Sequence, residues 1–277
     1  MRDVCVITGG GSGMGLATAK LLGKDNYVIL VGRKINKLKA AIEELTAEGI
    51  EAEPFACDIS NRAFVELLAQ HASKIGTITS VIHAAGMSPH MGDATTIMEA
   101  NALGTINVNE AFYKVMEEGS CILDVSSMSG YLVPKIIMPM RSYKYSRIDQ
   151  ELFMKKMMAR VNLFPAKLRS DIAYGISKNF VIWYAKTDAA KFGQKGIRVI
   201  SVSPGSFETP MGEMEKDSVA EYTKLCAIKR LGHVEEIAEL FAFCVSKKAG
   251  YLTGVDILCD GGCVASGVNP LTYRTKH

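Results

Sequence analysis

Short runs of aliphatic and β-branched residues alternate along this chain with longer stretches whose apolar positions recur every three or four residues. The short runs predict strands over residues 3–8, 27–32, 51–56, 80–84, 120–126, 197–203 and 255–258. The longer stretches predict helices over 14–23, 34–48, 61–74, 97–117, 171–192 and 234–246. The second helix shows the pattern well, with Leu38, Ile42 and Leu45 on one face. Strand–helix–strand alternation implies a parallel sheet with right-handed crossovers and helices on both faces. The expectation is a doubly wound α/β fold forming one domain over 1–277, without internal repeats, low-complexity tracts or linkers. Ligands of such folds bind at the carboxyl ends of the strands, where strand order reverses. Only residues 131–170 break the rhythm.

Composition narrows the function classes. With 48% hydrophobic and 22% charged residues, the chain has the profile of a folded globular protein. Thirty-two basic against 29 acidic side chains leave a net charge of +3, and no basic stripe with interleaved aromatics suggests nucleic acid. No apolar run is long enough for a membrane span, and a strand predicted from residue 3 leaves no room for a signal peptide. The seven cysteines are scattered and include no Cys-x-x-Cys pair, so they are expected to be reduced core residues of a cytoplasmic protein without a metal site.

The first predicted strand runs into Thr8, Gly9, Gly10, Gly11, Ser12, Gly13, Met14 and Gly15, and then into a helix. Glycines let the backbone turn sharply and approach a pyrophosphate, and the following helix N-terminus presents unpaired N–H groups to it. Alone, such a loop also suits a tight strand-to-helix turn. Between the first strand and helix of a βαβ unit, it points to a dinucleotide. The second strand ends without the carboxylate that usually holds an NAD ribose. Arg33 stands there instead, followed by Lys34 and Lys37, a set suited to the 2′-phosphate of NADP. NADP is therefore expected ahead of NAD.

Further motifs follow in order. Asp58 and Ile59 come after the third strand, and His83, Ala84, Ala85 and Gly86 after the fourth. Asn101 lies in the next helix, and Ser127 precedes Gly130 by three residues. Tyr174 and Lys178 have Tyr-x-x-x-Lys spacing. Pro204, Gly205, Phe207 and Thr209 follow the sixth strand, before Arg230-Leu231-Gly232 and the glycines at 254, 261 and 262. The set resembles the short-chain dehydrogenase/reductase family in its single-domain form, over nearly the whole chain. The resemblance implies a Rossmann fold and catalytic Asn101, Ser127, Tyr174 and Lys178. It implies cofactor contacts from Thr8, Gly9, Gly11, Ser12, Gly13, Met14, Gly15, Asp58, Ile59, Ala85, Gly86, Tyr174, Lys178, Pro204, Gly205, Phe207 and Thr209, with Arg33 added from the residue reading. It also implies a homo-oligomer, dimer or tetramer. Where the family has two asparagines before Ala-Gly, this chain has His83 and Ala84; a structural imidazole is expected at His83.

The chemistry suits these residue types. Carbonyl reduction needs a proton donor within hydrogen-bond reach of the oxygen. A free tyrosine titrates near ~10, and a neighbouring ammonium lowers that value. Positions i and i+4 share a helix face, so Tyr174 and Lys178 can serve one cleft. A serine hydroxyl can polarise the carbonyl, and the cofactor carries the hydride. Tyr131 and Lys135 repeat the spacing, but Pro134 between them disfavours a helix interior.

Forty-six residues separate Ser127 from Tyr174, more than in most members of the family. The excess contains Met138, Pro139, Met140 and a basic, tyrosine-rich patch from Arg141 to Arg147. A helix is expected beyond it, with Ser146 as its cap, continuing through Ile148, Leu152, Phe153, Met157 and Val161. The segment reads either as a lid over a bulky apolar substrate or as an interface element, and the tail from 264 either closes over a pocket or frays. A comparable enlargement in some bacterial hydroxysteroid dehydrogenase/carbonyl reductases makes a steroid-like ketone worth testing. The leading expectation is alcohol–ketone interconversion. The alternatives are reduction of an activated carbon–carbon double bond and a non-catalytic NADP-binding scaffold.

Overall fold

The computed structural model describes residues 2–213 and 223–267. Seven strands form one parallel sheet: β1 (Arg2–Thr8), β2 (Tyr27–Gly32), β3 (Ala52–Ala56), β4 (Gly76–His83), β5 (Cys121–Val125), β6 (Arg198–Pro204) and β7 (Asp256–Cys259). Their order is β3-β2-β1-β4-β5-β6-β7, so the direction of winding reverses between β1 and β4. This is the doubly wound arrangement that the alternation predicts, and it creates a crevice at the carboxyl ends of those two strands.

Both faces of the sheet are dry. Val4, Val6, Ile29, Val31, Ile122 and Val199 face one side, packed by α3 (Arg62–Ile75), α5 (Gly104–Val115) and α8 (Arg169–Gly193). Their sequence neighbours Cys5, Ile7, Val28, Leu30, Leu123 and Ile200 face the other, packed by α1 (Gly13–Leu22), α2 (Ile35–Ala47) and α9 (Val234–Val245). A sheet covered on both faces has near-continuous hydrophobic strands. No disulfide forms among the described residues, and six of the seven cysteines are buried. Among the described residues no helix is long and apolar enough to cross a membrane.

Beyond shifts of one or two residues at element ends, three features differ from the sequence reading. Strand β4 begins four residues before the expected 80, because Gly76, Thr77 and Ile78 pair with Arg2, Asp3 and Val4 despite their weak apolar pattern. The helix expected over 97–117 is α4 (Ala94–Met98), a wide five-residue turn at Glu99–Leu103, and α5. Periodicity cannot register such a bulge, which is often found at functional sites. The extra helix is α7 (Gln150–Val161), capped by Asp149 rather than Ser146, so Ile148, expected within it, lies before the helix and is exposed. The Asp149 carboxylate accepts the N–H of Leu152 at 2.9 Å, whereas Ser146 lies buried inside a tight turn spanning Met140–Arg147.

The insertion is seated on its own chain. Met138, Tyr143, Phe153, Met157 and Val161 are buried against Ile97 and Met98 of α4 and Ile176, Phe180 and Tyr184 of α8. The Phe153 and Tyr143 rings lie 4.8 and 5.3 Å from that of Phe180. Arg147 adds a cross-link, with its guanidinium 2.5 Å from Asp188 Oδ1 and 4.6 Å above the Trp183 ring. Full burial and the close Phe180 ring make Phe153 the anchor of this seat. Phe153→Ala should destabilise the protein by about 3–5 kcal/mol in chemical denaturation. A loss below 1 kcal/mol would mean the insertion is not packed as described.

Candidate active site

The crevice at the reversal point holds a cavity of about 340 Å³. Gly9, Gly11, Ser12, Gly13, Met14 and Gly15 line it from the turn between β1 and α1. Gly9 has φ +72°, and a Cβ there would lie 2.8 Å from the Ala85 nitrogen, so only glycine lets the turn approach β4. Ser12 stands at the α1 N-cap without a side-chain capping bond, and the first turn has no acidic residue. Its N–H groups are thus left for an anion entering the cavity.

The nucleotide end is built from strand ends. Arg33, Lys34 and Lys37 line the cavity after β2, are exposed, and form no ion pair with any described residue. Asp58 and Ile59 line it after β3. Asp58 Oδ1 accepts both the N–H and the hydroxyl of Ser60, at 3.0 and 2.8 Å, which holds the carboxylate in place. Ala85, Gly86 and Thr209 complete the wall among the residues expected from sequence. An uncapped helix start, a glycine cradle and unpaired cations together fit a phosphate-bearing dinucleotide.

His83 organises the β4 end without touching the cavity. Its Nδ1 is 2.8 Å from Thr8 Oγ1, which accepts the Ala85 N–H at 3.1 Å. Its Nε2 is 3.2 Å from Thr105 Oγ1, whose hydroxyl donates to the Asn101 carbonyl at 2.7 Å. Thr105 has one proton and spends it on Asn101, so His83 Nε2 donates and Nδ1 accepts from Thr8. The ring is neutral and fully satisfied. Burial, reinforced by the Lys178 charge, pushes it down to about 3.

Two of the remaining candidates, Asn101 and Lys178, meet behind Gly86. Asn101 sits in the wide turn before α5. Its Oδ1 accepts the Met87 N–H at 2.8 Å, and its Nδ2 donates to the Met87 carbonyl and Ser177 Oγ. Lys178, on α8, is buried, and its Nζ donates to the Val125 carbonyl at 3.0 Å. That ammonium lies 5.8 Å from the Tyr174 ring centroid and 3.3 Å from where a Gly86 Cβ would stand. Burial pulls Lys178 down to about 8, with Asp124 acting the other way. Ser127 follows β5, its Oγ accepting the Ser129 N–H at 3.1 Å. A Cβ on Gly130 would lie 3.0 Å from the Asn179 nitrogen, so glycine lets this turn pack onto α8 beside Lys178.

Known proteins resemble this chain over nearly its whole length. The family model described as short chain dehydrogenase matches residues 3–160, more than half the chain. The chain belongs to the short-chain dehydrogenase/reductase family. A model described as enoyl-(acyl carrier protein) reductase matches residues 165–264. The short-chain dehydrogenase/reductase bsc3 of Alternaria brassicicola is 27% identical over 269 residues, covering 95% of this chain and 96% of its own. A Burkholderia cenocepacia short chain dehydrogenase in complex with NADP superposes with a TM-score of 0.75 at 22% identity, covering 95% of this chain and 97% of that one. A Brucella melitensis 3-oxoacyl-[acyl-carrier protein] reductase with bound NAD gives 0.72 at 23%, covering 94% and 90%. The protein is thus an oxidoreductase of this family.

Several of this dehydrogenase/reductase's expected cofactor residues stand back from the cavity. Thr8 is fully buried and serves the His83 chain. Phe207 is buried, with its ring against Gly232, and Gly205 packs on Asp260. Pro204 ends β6, and neither it nor Tyr174 nor Lys178 is among the residues that line this cavity. The Tyr131–Lys135 pair is dismantled: Tyr131 donates to Asp256 Oδ2 at 2.5 Å, and the chain leaves the short helix α6 (Ser129–Leu132) before Pro134. Sequence reasoning missed Met87, Met91, Ala100 and Met211, which line the cavity. Met87 directly follows one recognised motif and Met211 stands two residues beyond another, and that nearness was the available signal. The suggested closure of the tail falls, from residue 268 onward, outside the described residues.

The state of His83 yields a prediction with a definite sign. Its folded-state value lies below the usual ~6.5, so its contribution is complete above that pH and is lost as pH falls towards 3. His83→Leu breaks two buried hydrogen bonds and should cost about 1–3 kcal/mol at pH 8. The gap between the two melting curves should then narrow by pH 4.5. A gap that stays constant with pH would contradict a buried neutral imidazole.

Proposed function

We propose that the protein is an NADP-dependent oxidoreductase interconverting a secondary alcohol and a ketone, with Tyr174 exchanging the proton. The observation that carries this reading is the buried Lys178 ammonium, pinned by Val125, near the Tyr174 ring and directly behind Gly86 of the cavity wall. When bound, the nicotinamide supplies the hydride. In reduction the Tyr174 hydroxyl gives its proton to the carbonyl oxygen, and in oxidation tyrosinate takes it back. The Lys178 charge favours that tyrosinate. Ser127 donates a hydrogen bond to the same oxygen, where charge develops. Asn101 holds both backbone groups of Met87 and thereby fixes the wall opposite Lys178.

Arg33, Lys34 and Lys37, with no carboxylate at the end of β2, support NADP. Structural neighbours carry either NADP or NAD, so the preference rests on these side chains. Met14, Met87, Met91 and Met211 give the cavity flexible apolar walls, which favours a bulky hydrophobic ketone, a steroid among them. The name of the model matching 165–264 supports a second reading, reduction of an activated carbon–carbon double bond.

NADPH consumption across bulky ketones, small ketones and enones, with NADH in parallel, separates these readings. Turnover of enones alone would favour the second. Tyr174→Phe should lower kcat by at least about 10²-fold with the NADPH Kd unchanged; a variant retaining full turnover would remove Tyr174 from the chemistry. Arg33→Ala should weaken NADPH binding at least about tenfold, ~1.4 kcal/mol, and leave NADH unaffected in fluorescence titration. Equal losses for both cofactors would count against the 2′-phosphate role.

A further inference from the structure

A carboxylate that the chemistry above does not use lies under the site. Asp124 is fully buried on β5, immediately before Val125, whose carbonyl holds Lys178. It stands in register with His83 of β4 and Ser201 of β6, on the face covered by α5 and α8. Its Oδ1 accepts from Asn109 Nδ2 at 2.9 Å, and its Oδ2 has no hydrogen-bond partner. One donor is little for a buried carboxylate, which is kept ionised only with the help of a nearby positive charge and otherwise takes up a proton.

We propose that Asp124 is a positioning residue for the reaction: its buried carboxylate, acting across the β5–α8 contact without a direct hydrogen bond, keeps Lys178 in its ammonium form. The inference rests on the assignment of Lys178 to the chemistry. The groups facing the pair are few. On α8 they are Lys178 itself, Tyr174, whose ring centroid is 5.8 Å from the ammonium, and Asp188; on β4 there is neutral His83; from α5 there are Asn109 and Thr105, neither of them ionisable. Asp188 is held by Arg147, with Lys191 and Glu110 beyond it. Arg198, Cys121 and Cys244 are the other charged and thiol groups around β5. Burial raises Asp124 to about 7, with Asp188 adding to this and Asn109 and Lys178 opposing it, while burial lowers Lys178 to about 8. Between these values carboxylate and ammonium coexist. Above about 8 the ammonium is lost, and with it the support for tyrosinate.

Asp124→Asn removes the charge and keeps the acceptor for Asn109. In the unliganded protein, the Lys178 resonance, assigned by its absence in Lys178→Met, is followed through pH by 15N-lysine NMR. Its midpoint should fall by at least about half a pH unit in Asp124→Asn. The alkaline limb of kcat/KM should move down with it, while the melting temperature at pH 7.5 stays within a few degrees of the wild type. An unmoved Lys178 midpoint overturns the proposal. A midpoint that moves while the kcat/KM profile stays put upholds the pairing and overturns the assignment of Lys178 to the chemistry. Should Asp124→Asn fail to fold, Asp188→Asn takes its place. It removes the carboxylate that opposes ionisation of Asp124, so the Lys178 midpoint should rise, and a fall would overturn the proposal.

Discussion

A parallel sheet covered on both faces leaves no water for polar side chains, yet this one carries Thr8, His83, Asp124 and Ser201 in consecutive register across β1, β4, β5 and β6. The requirement that these groups be satisfied shapes everything near the site. Thr8 and Thr105 saturate the His83 ring, Asn109 reaches Asp124, and Ser201 donates to Asp256. The wide turn before α5 and the placement of α8 follow from the same need, because they bring Asn101, Thr105 and Lys178 over the strand ends. The polar row sits at the carboxyl edge of the sheet, and the interior below it is aliphatic.

The insertion enters this system from outside. Its aromatic and methionine side chains enlarge the core over α4 and α8, and Arg147 ties it to Asp188. Met87 belongs both to that cluster and to the cavity wall. The segment that breaks the βα rhythm is therefore packed one residue layer from the cleft, and its seating and the shape of the cavity are not independent. Rigid packing of this kind transmits volume changes between neighbours.

Much of this was legible in the chain because local rules sufficed. Alternation located the seven strands, and glycines with fixed offsets located the nucleotide turn. The Tyr174–Lys178 spacing placed two side chains on one helix face. What remained hidden depends on contacts distant in sequence. The wide turn at Glu99–Leu103 leaves no mark on a hydrophobic period, and the early start of β4 depends on pairing with Arg2–Val4. Asp149 took the cap from Ser146 because a tight turn buried the serine. Phe207 reads as a cofactor contact by its motif, but Gly232, 25 positions later, draws its ring into the core. Asp124 looked like one polar letter in a strand until register placed it beside His83 and beneath α8.

The His83 chain has a direction. A backbone N–H starts it at Ala85, each hydroxyl passes its proton one way, and a backbone carbonyl ends it at Asn101. Neither terminus can supply or absorb a proton, and carrying one along the chain would require every hydroxyl and the imidazole tautomer to turn over together. A histidine a few residues from the cleft is thus wired as an insulator: it can bear load for the turn without offering a competing path for the proton that the reaction moves.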